Sequence, residues 1–179
     1  MNDKIDFLKK ILGDCKRLET SKCQYKTSYI IIENKEFYIC DCEHKEPVEI
    51  VGKHQYHQLD VVNKSDSQIC MIKTDNCLFA DDHKKCDCIL FNKSKFYFVE
   101  LSDSKNRSRK RRSATMQLAE TIKIFKNNGF DFSPYLTRAV ICFRSRETYP
   151  TQASGNTNRA RFLEEFNIDL EEGNKIEFQ

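Results

Sequence analysis

No apolar run in this sequence is long enough to cross a bilayer. The longest, Tyr29–Ile32 and Ala139–Phe143, fall far short of the roughly 20 residues that a membrane helix needs. The N-terminus opens on Asn2, Asp3 and Lys4 and lacks the basic-then-apolar order of a signal peptide. A cytoplasmic protein with no membrane partner is the expectation. Glycine is scarce, 5 residues in 179, and none forms a phosphate-cradling pattern. Charge imbalance is missing too: a formal net charge of +3 does not by itself argue for a nucleic-acid partner. Cysteine runs the other way, with nine residues, an odd number. Disulfide frameworks belong mainly to small secreted chains, so reduced, largely buried thiols are expected.

A chain of 179 residues with 39% hydrophobic and 32% charged residues suits one folded domain spanning 1–179. Ile5, Leu8, Ile11, Leu12 and Cys15 recur at helical spacing, which predicts an amphipathic helix over residues 3–18. Tyr29–Ile32 and Glu36–Cys40 are β-rich runs around Glu33-Asn34-Lys35, the pattern of a hairpin. Residues 43–66 read as loop with a short element near Tyr56–Val62, and Gln68–Lys73 as a strand. Cys86–Phe91 and Phe96–Leu101 are two more strands, separated by the turn-like Asn92-Lys93-Ser94-Lys95.

A second helix presents Met116, Ala119, Ile122, Ile124 and Phe125 and stops near Asn127-Asn128-Gly129. Thr137–Phe143 reads as a buried strand and residues 144–158 as loop. Arg159–Phe166 reads as a short helix, with Ile168–Leu170 and Lys175–Phe178 as edge strands. This order predicts an α/β fold, a mixed β-sheet flanked by helices.

The chemistry concentrates between residues 84 and 105. Neighbours along a strand alternate faces, so Cys86, Cys88 and Leu90 are expected on one face and Asp87 on the other. Phe96, Phe98 and Glu100 share a face of the next strand. A four-residue turn brings the start of the first strand beside the end of the second, which places Asp87 and Glu100 within reach of one cation. Two carboxylates there repel and lose hydration. Mg²⁺ or Mn²⁺, binding carboxylate and water oxygens, offsets that cost. The bland alternative is a pair of strand-end acids that hold no metal.

Asp87, a thirteen-residue step to Glu100 within "FYFVELS", and a following helix containing Gln117 together resemble the PD-(D/E)XK nuclease superfamily. The resemblance spans roughly residues 70–143. It implies a restriction-endonuclease-like fold and metal-dependent cleavage of nucleic-acid phosphodiesters. It also implies a nucleic-acid partner, DNA before RNA, and a setting in defence against foreign DNA. By the same resemblance Asp87 and Glu100 are metal ligands, with the Leu101 carbonyl a third. Gln117 supports the site, and the first helix can add an acid such as Glu19. The chain departs from the motif at Ser102, which stands where the family carries a lysine. Lys105 or Lys85 is expected to substitute as the catalytic cation. If neither does, the chain is a non-catalytic nucleic-acid- or protein-binding adaptor, acting with a protein partner or as a homodimer.

Lys105, Arg107, Arg109, Lys110, Arg111 and Arg112 put six cations in eight residues directly after this stretch. They are expected either to bind a phosphate backbone or to form a solvated loop. Arg144, Arg146, Arg159 and Arg161 can extend the same surface. A rival reading rests on Cys40-Asp41-Cys42 and Cys86-Asp87-Cys88, with Cys70, Cys77, His44 and His83 near in sequence, as a structural zinc site. No spacing singles out a Cys/His catalytic pair, and His54 and His57 read as surface histidines.

Overall fold

Helix α1 (Asn2–Leu12) buries Ile5, Leu8 and Leu12, residues three and four apart that form one stripe. Gly13, with φ of 84°, ends it well before the expected boundary. Asp14 then ties this corner together. Its carboxylate accepts from the N–H of Cys15 at 2.7 Å and of Ser28 at 2.6 Å, and Lys9 approaches to 3.2 Å. The structure is a computed structural model describing residues 1–15, 26–42, 46–65, 67–79, 85–103, 107–143 and 153–179.

Strands β1 (Tyr29–Ile32), β2 (Glu36–Cys40), β3 (Glu49–Val51), β4 (Leu59–Asn63), β5 (Ile69–Lys73), β6 (Cys88–Phe91) and β7 (Lys95–Ser102) precede α2 (Arg107–Asn127). Then come β8 (Leu136–Phe143), α3 (Ala153–Phe166), β9 (Asp169–Glu172) and β10 (Lys175–Phe178). The strands form two mixed sheets, ordered β1-β5-β6-β7-β8-β9 and β10-β4-β2-β3. In the larger sheet β1, β5, β6 and β7 are antiparallel neighbours, while β7, β8 and β9 run parallel. Parallel neighbours need a crossover, and α2 and α3 supply it. The protein is therefore mixed α/β, as its pattern predicts.

The layers differ from the expected single sheet with helices around it. One face of the larger sheet, through Ile89, Phe91, Phe96, Phe98 and Ile141, packs against α1, α2 and α3. The other, through Met71, Leu90, Tyr97, Val99 and Cys142, packs against Phe37, Ile39, Leu59, Val61 and Phe178 of the smaller sheet. Both faces of β5, β6 and β7 are buried, which explains their near-continuous apolar sequences. The expected hairpin of β1 and β2 does not form. β1 pairs with β5 and β2 with β4 and β3, so residues 33–35 carry the chain from one sheet to the other. Ile168–Leu170 and Lys175–Phe178 do mark edge strands, but of different sheets.

Helix α2 ends at Asn127, with Gly129 at φ 79° just beyond it. Its start is the larger correction. Arg109–Arg112 are helical, not loop.

Phe96 is the hub of the helix-side core, fully buried. Its ring centroid lies 5.3 Å from Phe91, 5.2 Å from Phe98, 5.2 Å from Phe130 and 5.3 Å from Phe132. Such pairs add to area burial. Phe96→Ala is expected to cost about 3–5 kcal/mol in urea unfolding. Met116→Ala, at a residue 61% exposed, should stay within about 0.5 kcal/mol.

Candidate active site

The antiparallel register of β6 and β7 pairs Cys88 with Val99 and Ile89 with Phe98. One step further along the ladder, Asp87 comes opposite Glu100. Asp87 is 8% exposed and Glu100 1%, so two carboxyl groups share a nearly dry position. β6 begins only at Cys88, which leaves the N–H of Leu101 without a strand partner on that side. Asp87 Oδ2 accepts it at 2.5 Å. The carbonyl of a strand residue points the same way as its N–H, so the Leu101 carbonyl is also turned toward this end of β6.

Helix α2 covers the pair with a polar stripe. Lys110, Gln117 and Thr121 lie at helical spacing on one face with buried Ala114. Lys110 Nζ is 3.1 Å from Glu100 Oε1. Gln117 Nε2 donates to Glu100 Oε2 at 3.1 Å and to the Lys85 carbonyl at 3.0 Å. Its own Oε1 accepts from Ser113 Oγ at 3.2 Å, and Thr121 Oγ1 accepts from the Cys86 N–H at 2.9 Å. Both oxygens of Glu100 are thus held from the helix.

Charge sets the chemistry. Burial pushes the pKa of Glu100 up to about 8, with Lys110 opposing and Asp75 and Asp41 adding to the rise. Burial, then the charges of Glu100 and Asp41, raises Asp87 well above the ordinary carboxylate range, against the Leu101 N–H and Lys110. Burial works against the charge on Lys110, but Glu100, Asp87 and Asp41 outweigh it and raise its pKa. Asp41 and Asp75 went unread in the sequence as contributors. They arrive from the end of β2 and the turn after β5, and nothing in their local pattern signals this convergence.

The expected site residues divide clearly. Asp87, Glu100, Leu101 and Gln117 come together. Lys85 brings its carbonyl to Gln117, while its ammonium sits 5.9 Å from the Phe79 ring centroid. Ser102 lies two residues from Glu100 on a strand and therefore on the same face. Lys105 and Glu19 lie outside the described residues, and of Arg107 only the backbone is described. The basic run is split by its helix. Lys110 turns to the acids. Arg111 is engaged with Glu172 of β9, Nε to Oε1 at 2.5 Å and Nη2 to Oε2 at 3.0 Å. Arg109 and Arg112 are exposed. Arg159 donates to the Leu170 carbonyl at 2.7 Å, and Arg144 and Arg146 lie outside the described residues. The His57 ring packs at a tilt against Tyr38 and contacts Asp60.

The cysteines correct two expectations. Cys40 and Cys42 are paired as a disulfide with Cα atoms 5.2 Å apart, while Cys15, Cys70, Cys77, Cys86, Cys88 and Cys142 are free and buried. Cys86 and Cys88 do not share a face: Cys86 packs in the helix-side core and Cys88 against the smaller sheet. The regular strand begins only at Cys88, and the turn before it reverses Cys86. His44 and His83 lie outside the described residues. Among the described residues no three His, Cys, Asp or Glu side chains form a metal-holding group. Asp87 and Glu100 bring two carboxyl groups to one position. That number suits Mg²⁺, which commonly takes one or two carboxylates and completes its octahedron with water and substrate phosphate.

No protein-family model, curated protein or solved structure matches this chain.

Raised carboxyl pKa values bear on stability with a definite sign. Asp87 and Glu100 hold protons more tightly folded than unfolded. Between the ordinary carboxylate range and about pH 8 the native state therefore carries more protons. Without divalent ions, unfolding free energy should fall as pH rises through that window, by up to about 1.4 kcal/mol per pH unit for each extra proton. Glu100→Gln should flatten the decline and raise the urea midpoint at pH 8. An unchanged slope in that variant would contradict the assignment.

Proposed function

We propose that this chain is a metal-dependent nuclease-like phosphodiesterase, built on a diverged restriction-endonuclease-like arrangement of its larger sheet. The observation that carries the reading is the opposed, buried pair Asp87 and Glu100 at the open end of β6–β7, with both Glu100 oxygens engaged by one helix. Asp87 and Glu100 would hold Mg²⁺ or Mn²⁺, with the Leu101 carbonyl a further oxygen donor. When bound, such an ion polarises a phosphoryl oxygen and lowers the pKa of water.

The residues supply the rest. Gln117 fixes the rotamer of Glu100, and the Leu101 N–H fixes that of Asp87. Both carboxylates are thus preorganised, which lowers the reorganisation required at reaction. Arg109 and Arg112, exposed on the first turns of α2, add positive charge with which that end of the helix would meet a phosphate backbone. DNA is the preferred substrate class, with defence against foreign DNA the biological setting that accompanies it.

A second reading is favoured by Ser102. A serine cannot supply the positive charge of the motif lysine, and a chain that had lost that charge would serve as a nucleic-acid- or protein-binding adaptor on the same fold.

One assay separates the two. The full chain is incubated with Mg²⁺ or Mn²⁺ and labelled single-stranded DNA, duplex DNA or RNA. Wild type should cleave and Glu100→Ala should not, while binding by Glu100→Ala persists. Equal trace cleavage by both proteins would point to a contaminant and remove the case for catalysis. Binding without cleavage under any ion would establish the adaptor reading. In the same binding assay, Arg109→Ala with Arg112→Ala should weaken affinity and reduce the log–log salt slope by about one unit per lost phosphate contact. Undiminished binding would return these arginines to a solvated role.

A further inference from the structure

We propose that Lys110 is the catalytic lysine of this site, delivered by helix α2 instead of from the strand position that Ser102 occupies. The inference rests on the nuclease reading above and goes beyond it by assigning a residue that the sequence pattern places only among generic cations.

Three observations converge on it. Lys110 Nζ lies 3.1 Å from Glu100 Oε1, with its side chain 29% exposed and that of Glu100 1%. The Lys110 side chain therefore links the buried carboxylate to the protein surface, from which a phosphate would approach. Second, the orientation of the helix is fixed. Arg111, the next residue, is clamped in a two-bond contact to Glu172 on β9. Gln117, two turns on, is bonded to Glu100 and the Lys85 carbonyl. With both flanks pinned, Lys110 faces the acids. Third, the placement runs against local preference. A helix start carries partial positive charge and favours acids, yet the first turn of α2 has none. Cations there cost stability, and conflicts of this kind gather at functional positions.

Its action needs no titration of the lysine. In hydrolysis the water oxygen bonds to phosphorus and the ester phosphorus–oxygen bond breaks. One water proton ends on the departing oxygen and the other on the new phosphate. Lys110 remains an ammonium throughout. It stands against Glu100, and its hydrogen-bond donors would meet the growing charge on the phosphoryl oxygens. The distance to the strand position is short, because Ser102 shares the face of Glu100. A lysine placed at 102 should therefore reach the same region.

The experiment compares wild type, Lys110→Met and the double variant Lys110→Met/Ser102→Lys, with Lys110→Gln as a polar substitute should the methionine variant unfold. Single-turnover cleavage is measured with Mn²⁺, and Mn²⁺ affinity is measured separately by calorimetry. Lys110→Met should cleave about 10²–10³-fold more slowly and bind Mn²⁺ at least as tightly, since a cation competing for Glu100 is gone. The double variant should recover at least roughly tenfold of the lost rate. Cleavage by Lys110→Met at the wild-type rate would overturn the assignment. So would a parallel loss of Mn²⁺ affinity, which would make Lys110 a structural support. Wild type that neither binds Mn²⁺ nor cleaves would instead sink the nuclease reading, and this inference with it.

Discussion

Everything in the candidate site depends on one register. The pairing of Cys88 with Val99 puts Asp87 across from Glu100, and a slip of one residue would send one of them to the opposite face of the sheet. Burial on both faces of β6 and β7 forbids such a slip, since each would trade core residues for misfits in two cores at once. The apolar sequence that looks merely structural is therefore what holds two acids together against their repulsion. Their raised pKa values record chiefly the cost of burying both groups, with the charge of Glu100 adding to the rise at Asp87.

Around this pair the fold works as a three-layer clamp. The smaller sheet covers one face of β5, β6 and β7 and brings Asp41 to the rim. The helices cover the other, and α2 crosses from β7 to β8 so that its first turns pass over the strand ends. Lys110, Gln117 and Thr121 replace the apolar stripe there, because the surface they cover is polar. A network in which strand-borne acids are held by side chains of a packed helix is rigid and specific. It also explains how a carboxylate 1% exposed is tolerated: Glu100 receives an ammonium and an amide in place of water.

Much of this was legible in the sequence, and the reasons differ by residue. Asp87 and Glu100 could be paired because a four-residue turn and period-two patterning fix a hairpin locally. Gln117 was placed on a helix by the apolar residues around it. Lys110 escaped because the hydrophobic period of α2 starts only at Ala114. The earlier turns bury polar contacts, which leave no periodic signal, so they read as a charged loop. The partition of β1 and β2 into separate sheets also escaped. Local patterning is the same for a hairpin and for a chain crossing between sheets, and only long-range partners decide. Asp41 and Asp75 reach the site through such long-range pairing. The two CXC pairs show the same limit: one closes on itself as a disulfide, and the other is split across a sheet.

Metal binding at the acid pair is tested most directly by diffraction from a crystal of the full chain soaked with Mn²⁺, recorded at the manganese edge. An anomalous peak is expected at the carboxylates of Asp87 and Glu100, with Lys110 displaced from Glu100 Oε1. A saturating soak that leaves no peak at those carboxylates, with the Lys110–Glu100 contact intact, would contradict metal binding there.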